Sequence, residues 1–358
     1  MARRIVIKIG SQVLCDAQGR LAVDALSSLV AQVAALLDDG WQPVLVSSGA
    51  VAAGSGVVSA GAPGLSDPVA RRQVLAATGQ VVLMETYQRA FRAHGRTVAQ
   101  VLTSSSDFQT RRHYLNMRHC IEALLGHGIV PIVNENDVVT VTELMFTDND
   151  ELAGLVAAMI GADLLCLMSH VDGVFDGVPG EDGVRRIGIW DDATHGVEGV
   201  VQRGTSALGR GGMHSKLATA RKAAALGIEV VIGNGAAPDA VRRIVAGEDL
   251  GTRFPAGPGA SPAKRWLAGS DRFASAGVTV NPGAEAVLRD RGRLASVLPV
   301  GIVDVHGHFE RGDVIRVRNE AGKVVGCGQA RYDDAQTREW MGEQGHKPLI
   351  HYDYLWVE

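Results

Sequence analysis

At 358 residues the chain exceeds one ordinary domain, and two domains of unequal size are expected. Its 46% hydrophobic and 21% charged residues exclude a disordered or fibrous chain and supply a sizeable core. A net charge of −4 offers nothing global to draw the protein to nucleic acid or an anionic membrane.

Arg3 and Arg4 are followed by only Ile5–Ile9, interrupted by Lys8, which is too short and too charged for an export signal. Ile5–Ile9 reads instead as a first strand, followed by others at Val44–Ser47, Val98–Leu102, Ile129–Val133, Leu164–Met168 and Ile228–Ile232. These near-continuous Val/Ile/Leu runs suit parallel strands covered on both faces. Between the first two, Val23, Leu26, Val30, Val33 and Leu37 form a helical stripe that Gly40 can end. Further helices are expected at about 68–93, 111–126, 149–160 and 214–226. The alternation predicts an α/β doubly wound, mostly parallel sheet sandwiched by helices over residues 1–250. Leu152–Met168, the most apolar stretch, holds Gly154, Gly161 and Asp163 and reads as helix, turn and strand rather than a membrane span. Residues 251–274, with Pro255, Pro258 and Pro262, read as a Pro/Gly-rich linker. Short strands at Gly277–Val280, Val300–Val305, Val314–Val317 and Val324–Cys327 then predict a small β-rich domain over 275–358, with turns at Asn281-Pro282-Gly283 and Asn319–Gly322. Cys15, Cys120, Cys166 and Cys327 are scattered without a C-x-x-C pair, as expected of reduced thiols in a reducing, cytoplasmic compartment.

Ligands of open parallel sheets bind beyond the carboxyl ends of the strands, so the residues there carry the chemistry. Lys8 ends the first strand before Gly10; a lysine in an apolar strand needs water or an anion at its tip. Ser47-Ser48-Gly49-Ala50 closes the second strand and opens a helix, either as a plain turn or as an anion cradle. Asn134-Glu135-Asn136-Asp137 crowds amides and carboxylates after the fourth, a density suited to an amino-acid ammonium. Asp148-Asn149-Asp150 opens a helix; capping alone could explain it, and so could orienting lysines or holding Mg²⁺ through water. Gly209–Lys216 is a glycine-rich loop with a lysine in the following first helical turn, suited to phosphate although not of the G-x-x-x-x-G-K-[ST] form. No metal-ligand spacing or serine-hydrolase elbow is found in the sequence.

Taken in order, Val6–Gly10 "VIKIG", Val46–Gly54 "VSSGAVAAG", Ile132–Asp137 "IVNEND", Phe146–Leu152 "FTDNDEL" and Gly211–Lys216 "GGMHSK" resemble the amino acid kinase superfamily and, within it, the glutamate 5-kinases. Residues 275–350 resemble a PUA domain through "VNPGAEAVL", "SVLPVGIVDVHGHFERGDVI" and "GQARY". Acetylglutamate kinases and aspartokinases, which usually carry K-x-G-G after the first strand, and uridylate kinases, which lack a C-terminal β domain, are the competing relatives. An RNA-binding protein acting through the PUA-like domain is the alternative of another class. The 10 Lys/Arg against 12 Asp/Glu in 275–358 argue against a nucleic-acid partner.

The resemblance implies transfer of a phosphoryl group from ATP to L-glutamate, with Mg²⁺ carried by ATP rather than by a protein cage. By family position the catalytic residues would be Lys8, Lys216, Asp150 and Asp148, and glutamate would meet Ser48, Asn134, Asp137 and Asn149. ATP would meet Lys8, Gly10, Ser169, His170, Gly211, Gly212, Met213, His214, Ser215 and Lys216. Gln12, His170 and Arg210 depart from the family pattern. The resemblance also implies feedback inhibition by proline and a homo-oligomer, dimer or tetramer, with no membrane partner.

Overall fold

The computed structural model describes residues 2–16, 18–58, 67–109, 111–139, 148–195, 212–270, 274, 276–290 and 293–357. They fall into two compact units, 1–259 and 260–358.

Among the described residues of the first unit are strands β1 (Arg4–Ile9), β2 (Gln42–Ser47), β3 (Val98–Thr103), β4 (Val130–Glu135), β5 (Leu164–Ser169), β6 (Glu229–Asn234) and β7 (Thr252–Phe254). They form one sheet of order β3-β4-β2-β1-β5-β6-β7, parallel throughout except for the antiparallel pair β6 and β7. The helices are α1 (Ser11–Leu14), α2 (Val23–Asp38), α3 (Ala50–Ser55), α4 (Pro68–Ala93), α5 (Ser106–Gln109), α6 (Arg111–Gly126), α7 (Asn149–Ile160), α8 (Met213–Ala225) and α9 (Ala240–Val245). This is the doubly wound, mostly parallel sheet that the alternating pattern predicts.

Strand parity assigns the two faces. Ile5, Ile7 and Ile9 join one core with Leu45, Ile132, Leu26 and Val30 of α2, and Leu83, Tyr87 and Phe91 of α4. Side chains alternate along a strand, so Val6 and Lys8 point to the opposite face, where α7 packs on β1, β2 and β5. Parity likewise turns Ser47 and Asn134, two residues beyond Leu45 and Ile132, toward α4. Along α4 the sheet-facing stripe runs Ala76, Gln80, Leu83, Tyr87 and Phe91, all buried at i, i+4, i+7, i+11 and i+15. Asp67 starts this helix by accepting from Val69 N (3.2 Å) and Ala70 N (3.1 Å), with Pro68 at the first helical position.

Helices α3 and α4 touch backbone to backbone. A β-carbon on Gly79 would stand 1.8 Å from Ala50 O, and one on Gly54 would stand 2.0 Å from Leu75 O. Only glycine fits either position, and the contact sets where α3, and the Ser48–Gly49 turn before it, can lie.

The second unit holds α10 (Pro262–Ser270), β8 (Gly277–Val280), α11 (Pro282–Arg289), β9 (Ile302–His306), β10 (Val314–Asn319), β11 (Val324–Gln329), α12 (Asp334–Trp340) and β12 (Leu355–Val357). Its sheet has the order β12-β11-β10-β8-β9 around its own core of Val278, Val280, Ile315, Val317, Val325 and Leu355. The β-rich reading holds, with three local differences. The stretch read as linker contains β7 and α10. Thr252 Oγ1 ties β7 into the first unit, donating to Ile187 O (2.6 Å) and accepting from Val174 N (2.8 Å). Trp266 and Leu267 of α10 are buried, and the helix packs on β11 and β12. Asn281-Pro282-Gly283, read as a turn, instead opens α11: Asn281 Oδ1 accepts from Ala284 N at 2.8 Å, and proline suits the first helical position.

Two measurements check this account. Gly79→Ala should destabilise the protein by about 3 kcal/mol in urea unfolding, because the added methyl has only a backbone carbonyl to push against. Ending the chain after Gly259 should leave a fragment with a cooperative thermal transition, since each unit encloses its own core.

Candidate active site

The functional side chains gather at the carboxyl ends of β1, β2, β4 and β5 and at the first turns of α7 and α8. That is where parallel strands converge with helix N-termini. At the end of β1, Lys8 Nζ lies 2.8 Å from Asp150 Oδ1; from α8, Lys216 Nζ lies 2.8 Å from Asp150 Oδ2. All three are buried, Asp150 to 0% exposure and each lysine to 6%. One carboxylate thus holds two ammonium groups side by side, and the trio retains one net positive charge away from water. Burial pushes the Asp150 carboxyl up, but the charges of Lys8 and then Lys216 more than reverse this, and it lies below its ordinary carboxylate value. Gly10 adjoins the pair: its N–H donates to Met168 O (3.1 Å), and a β-carbon there would stand 3.7 Å from Lys8 Nζ.

Asp148 explains how α7 begins where it does. Its Oδ1 accepts from Asp150 N (2.9 Å) and Glu151 N (3.0 Å), a regular N-cap that aims the Asp150 side chain at the lysines. Its other oxygen, Oδ2, is buried without a hydrogen-bond partner among the described residues. Capping and ligand chemistry therefore use different oxygens of one carboxylate. The orphaned one suits an ammonium or a metal-bound water, so the donor set fits Mg²⁺ accompanying a nucleotide.

Beside these charges lies a cavity of about 490 Å³, lined among others by Ser48, Gly49, Arg72, Asn134, Asp137 and Asn149. Asn149 Nδ2 donates to Ser48 Oγ (2.9 Å), Ser47 O (3.1 Å) and Asn134 Oδ1 (3.3 Å). Asn134 Oδ1 also accepts from Glu135 N (2.9 Å), while its Nδ2 donates to Gln80 Oε1 (3.0 Å). Ser47 Oγ donates to Ser48 O (3.0 Å) and lies 2.9 Å from the Tyr87 hydroxyl, which must therefore be the donor between the two. Burial pushes that phenol up to about 12, so it stays protonated for the task. Gly49, at φ +100°, takes the left-handed turn that carries the chain from β2 into α3.

The structure thus brings together Lys8, Gly10, Lys216, Asp150 and Asp148, and beside them Ser48, Asn134, Asp137 and Asn149. Asp137 is already engaged: Arg72 donates to its Oδ1 from Nη2 (2.7 Å) and Nε (3.2 Å). Gly212, Met213, His214 and Ser215 open α8 just before Lys216, with Gly212 at the N-cap. Ser169 is buried at the end of β5 and the exposed His170 follows it. Gly211 lies outside the described residues. Sequence reasoning missed Arg72, Gln80 and Tyr87. All three stand on the stripe 72, 76, 80, 83, 87 of α4, where polar residues replacing apolar ones were the available signal.

Asp150→Asn should cost about 3–5 kcal/mol in denaturant unfolding, because two buried ammonium groups lose their counter-charge. The native carboxyl sits below its unfolded value of about 3.9, so its stabilisation is present at neutral pH and disappears as pH falls through the acid range below that value. Melting temperatures followed down to about pH 3 should consequently fall less steeply for Asp150→Asn than for the parent.

The amino acid kinase family model matches residues 3–234, and the PUA domain model matches residues 277–350. Over 355 residues the chain is 47% identical to the glutamate 5-kinase of Chlorobaculum tepidum, covering 99% of this chain and 97% of that protein. It is 42% identical over 361 residues to the glutamate 5-kinase of Bacteroides thetaiotaomicron, covering 99% and 98%. Among solved structures, the UMP kinase from Bacillus anthracis superposes with a TM-score of 0.49 at 17% identity, over 72% of this chain and 97% of that one. Since the family match runs from β1 to the end of β6, over every strand and helix that carries the site, this chain belongs to the amino acid kinase family, with glutamate 5-kinases as full-length relatives.

Proposed function

We infer that this chain is a kinase that transfers the γ-phosphoryl group of ATP to the γ-carboxylate of L-glutamate, giving glutamyl 5-phosphate and ADP, the first step of proline biosynthesis. The observation that carries this reading is the pair of buried lysines on Asp150, set beside a cavity walled by amides and carboxylates. The full-length likeness to glutamate 5-kinases supports it.

In the proposed reaction a glutamate carboxylate oxygen attacks the γ-phosphorus in line, an O–P bond forms, and the bond to the β–γ bridging oxygen breaks with its electrons leaving on ADP. A carboxylate is already nucleophilic, so no side chain acts as general base. Both reactants are anionic and the protein's task is positioning and charge stabilisation. Lys8 and Lys216 neutralise the transferring phosphoryl oxygens, and Asp150 holds the two ammonium groups at one spacing before any ligand arrives. Gly10, Ser169, His170 and the first turn of α8, from Gly212 through Met213, His214 and Ser215, form the nucleotide side. Mg²⁺ bound with ATP would draw charge from the phosphate oxygens, with Asp148 Oδ2 as the protein oxygen to receive it through water. On the other side Ser48, Asn134, Asn149 and Asp137 hold glutamate, and Arg72 supplies a cation near the substrate carboxylates.

The four cysteines form no disulfide among the described residues, which supports a cytoplasmic setting, and no described helix is long and apolar enough to cross a membrane. Assembly as a dimer or tetramer and inhibition by proline belong to the same reading.

Release of ADP from MgATP with glutamate, acetylglutamate, aspartate and uridylate in turn tests the substrate; glutamate alone should give rapid turnover, and a clear preference for another acceptor would overturn the assignment. Lys216→Ala should lower kcat by ~10²–10³ with a much smaller change in the glutamate KM, because its charge matters most in the transition state.

A further inference from the structure

The amide groups of the cavity wall run in a fixed direction, and two backbone groups set it. Amide oxygen and nitrogen are hard to tell apart by shape, so the direction must come from partners that can act in only one way. The Glu135 N–H can only donate, so the Asn134 atom 2.9 Å away is Oδ1. Asn134 therefore turns Nδ2 toward α4, and Gln80 must answer with its oxygen, at 3.0 Å. The Ser47 carbonyl can only accept, so the Asn149 atom 3.1 Å away is Nδ2. Asn149 Oδ1 is left accepting no hydrogen bond among the described residues. Ser48 Oγ, which accepts from Asn149, keeps its proton to donate.

Gln80 bears the consequence. It is 8% exposed, and with its oxygen committed to Asn134 its Nε2 is buried without a hydrogen-bond partner among the described residues. Rotating the amide would pair that nitrogen with nothing better, since it would then face the donor Nδ2 of Asn134. A buried glutamine that uses only its oxygen is there as an acceptor.

We propose that Gln80 is a positioning residue for substrate specificity: by accepting from Asn134 it holds the amide wall so that Asn149 Oδ1 faces the α-ammonium, and the Ser48 hydroxyl the carboxylate, of an amino-acid substrate. The proposal rests on the reading of this cavity as the glutamate site. Without the Gln80 oxygen, the buried Asn134 Nδ2 loses its acceptor, and only the Glu135 N–H is left to restrain the amide whose Oδ1 receives Asn149. Among the described residues no hydrogen bond joins this chain of amides to the first turn of α8 or to Ser169 and His170, so the ATP KM should change little.

The test is steady-state kinetics on the full chain for the parent, Gln80→Met and Gln80→Glu, with circular dichroism melts alongside. Met matches the volume without an acceptor; Glu keeps an acceptor oxygen and abolishes the unpaired NH₂. Q80M should raise the glutamate KM about tenfold, the scale of one buried hydrogen bond left unmade, while kcat and the ATP KM stay within about twofold. Q80E should bring the glutamate KM back to within about threefold of the parent by the same scale. A folded Q80M with the parent's glutamate KM, or one whose ATP KM rises as much, would overturn the positioning role. So would a Q80E as impaired as Q80M; if Q80M does not fold, the glutamate KM of Q80E decides alone. A parent chain with no glutamate turnover would bring down the functional reading and this role with it, whereas parent turnover with an unaffected Q80M brings down this role only.

Discussion

Two lysines that reach one buried carboxylate from different directions are the constraint on which the site is built. Left alone, Lys8 and Lys216 would repel each other in a place where water cannot screen them. Asp150 turns that repulsion into a fixed pair of positive charges. The arrangement demands that β1, α7 and α8 meet at one point, and the sheet order delivers it. Strand β1 is central, α7 crosses over it between β4 and β5, and α8 leads into β6 on the far side. Asp148 adds the last constraint by capping α7, which sets the turn that presents Asp150.

A second set of restraints comes through the opposite face of the sheet. Strand parity sends Lys8 toward α7 but Ser47 and Asn134 toward α4, so the two halves of the site are anchored in different layers. The charged half depends on α7 and α8. The amide half is joined by Asn149 at the start of α7 and backed from the other face by Tyr87, Gln80 and Arg72 of α4. Changes on α4 should therefore be felt in how the cavity receives its ligand, whereas changes at the start of α7 reach both halves, through Asn149 and through Asp150.

Much of this was legible in the sequence, for identifiable reasons. A charged residue inside an apolar strand marks itself, so Lys8 stood out, and near-continuous Val/Ile runs gave the parallel strands. Asp148 and Asp150 were harder, because a helix cap and a functional carboxylate look the same in a triplet; the structure shows Asp148 performing the cap with one oxygen only. The α4 residues were hard to read as a site since their partners Ser47, Asn134 and Asp137 lie 40, 54 and 65 positions away, and only packing brings them together. The linker misread arose because proline and glycine dominate 251–274 by composition, whereas Thr252 and Trp266 act through burial, which composition does not register.

The glycine contact between α3 and α4 has a mechanical consequence. Where two helices meet through carbonyl oxygens and bare α-carbons, no side chain can change rotamer to absorb a displacement. The two helices then move as one stiff body, and the Ser48–Gly49 turn travels with the 26-residue lever of α4 rather than on its own. Asn149, bonded to Ser47 O and Ser48 Oγ, ties the first turn of α7 to this same stiff wall, so a push on the far end of α4 is carried to the mouth of the cavity.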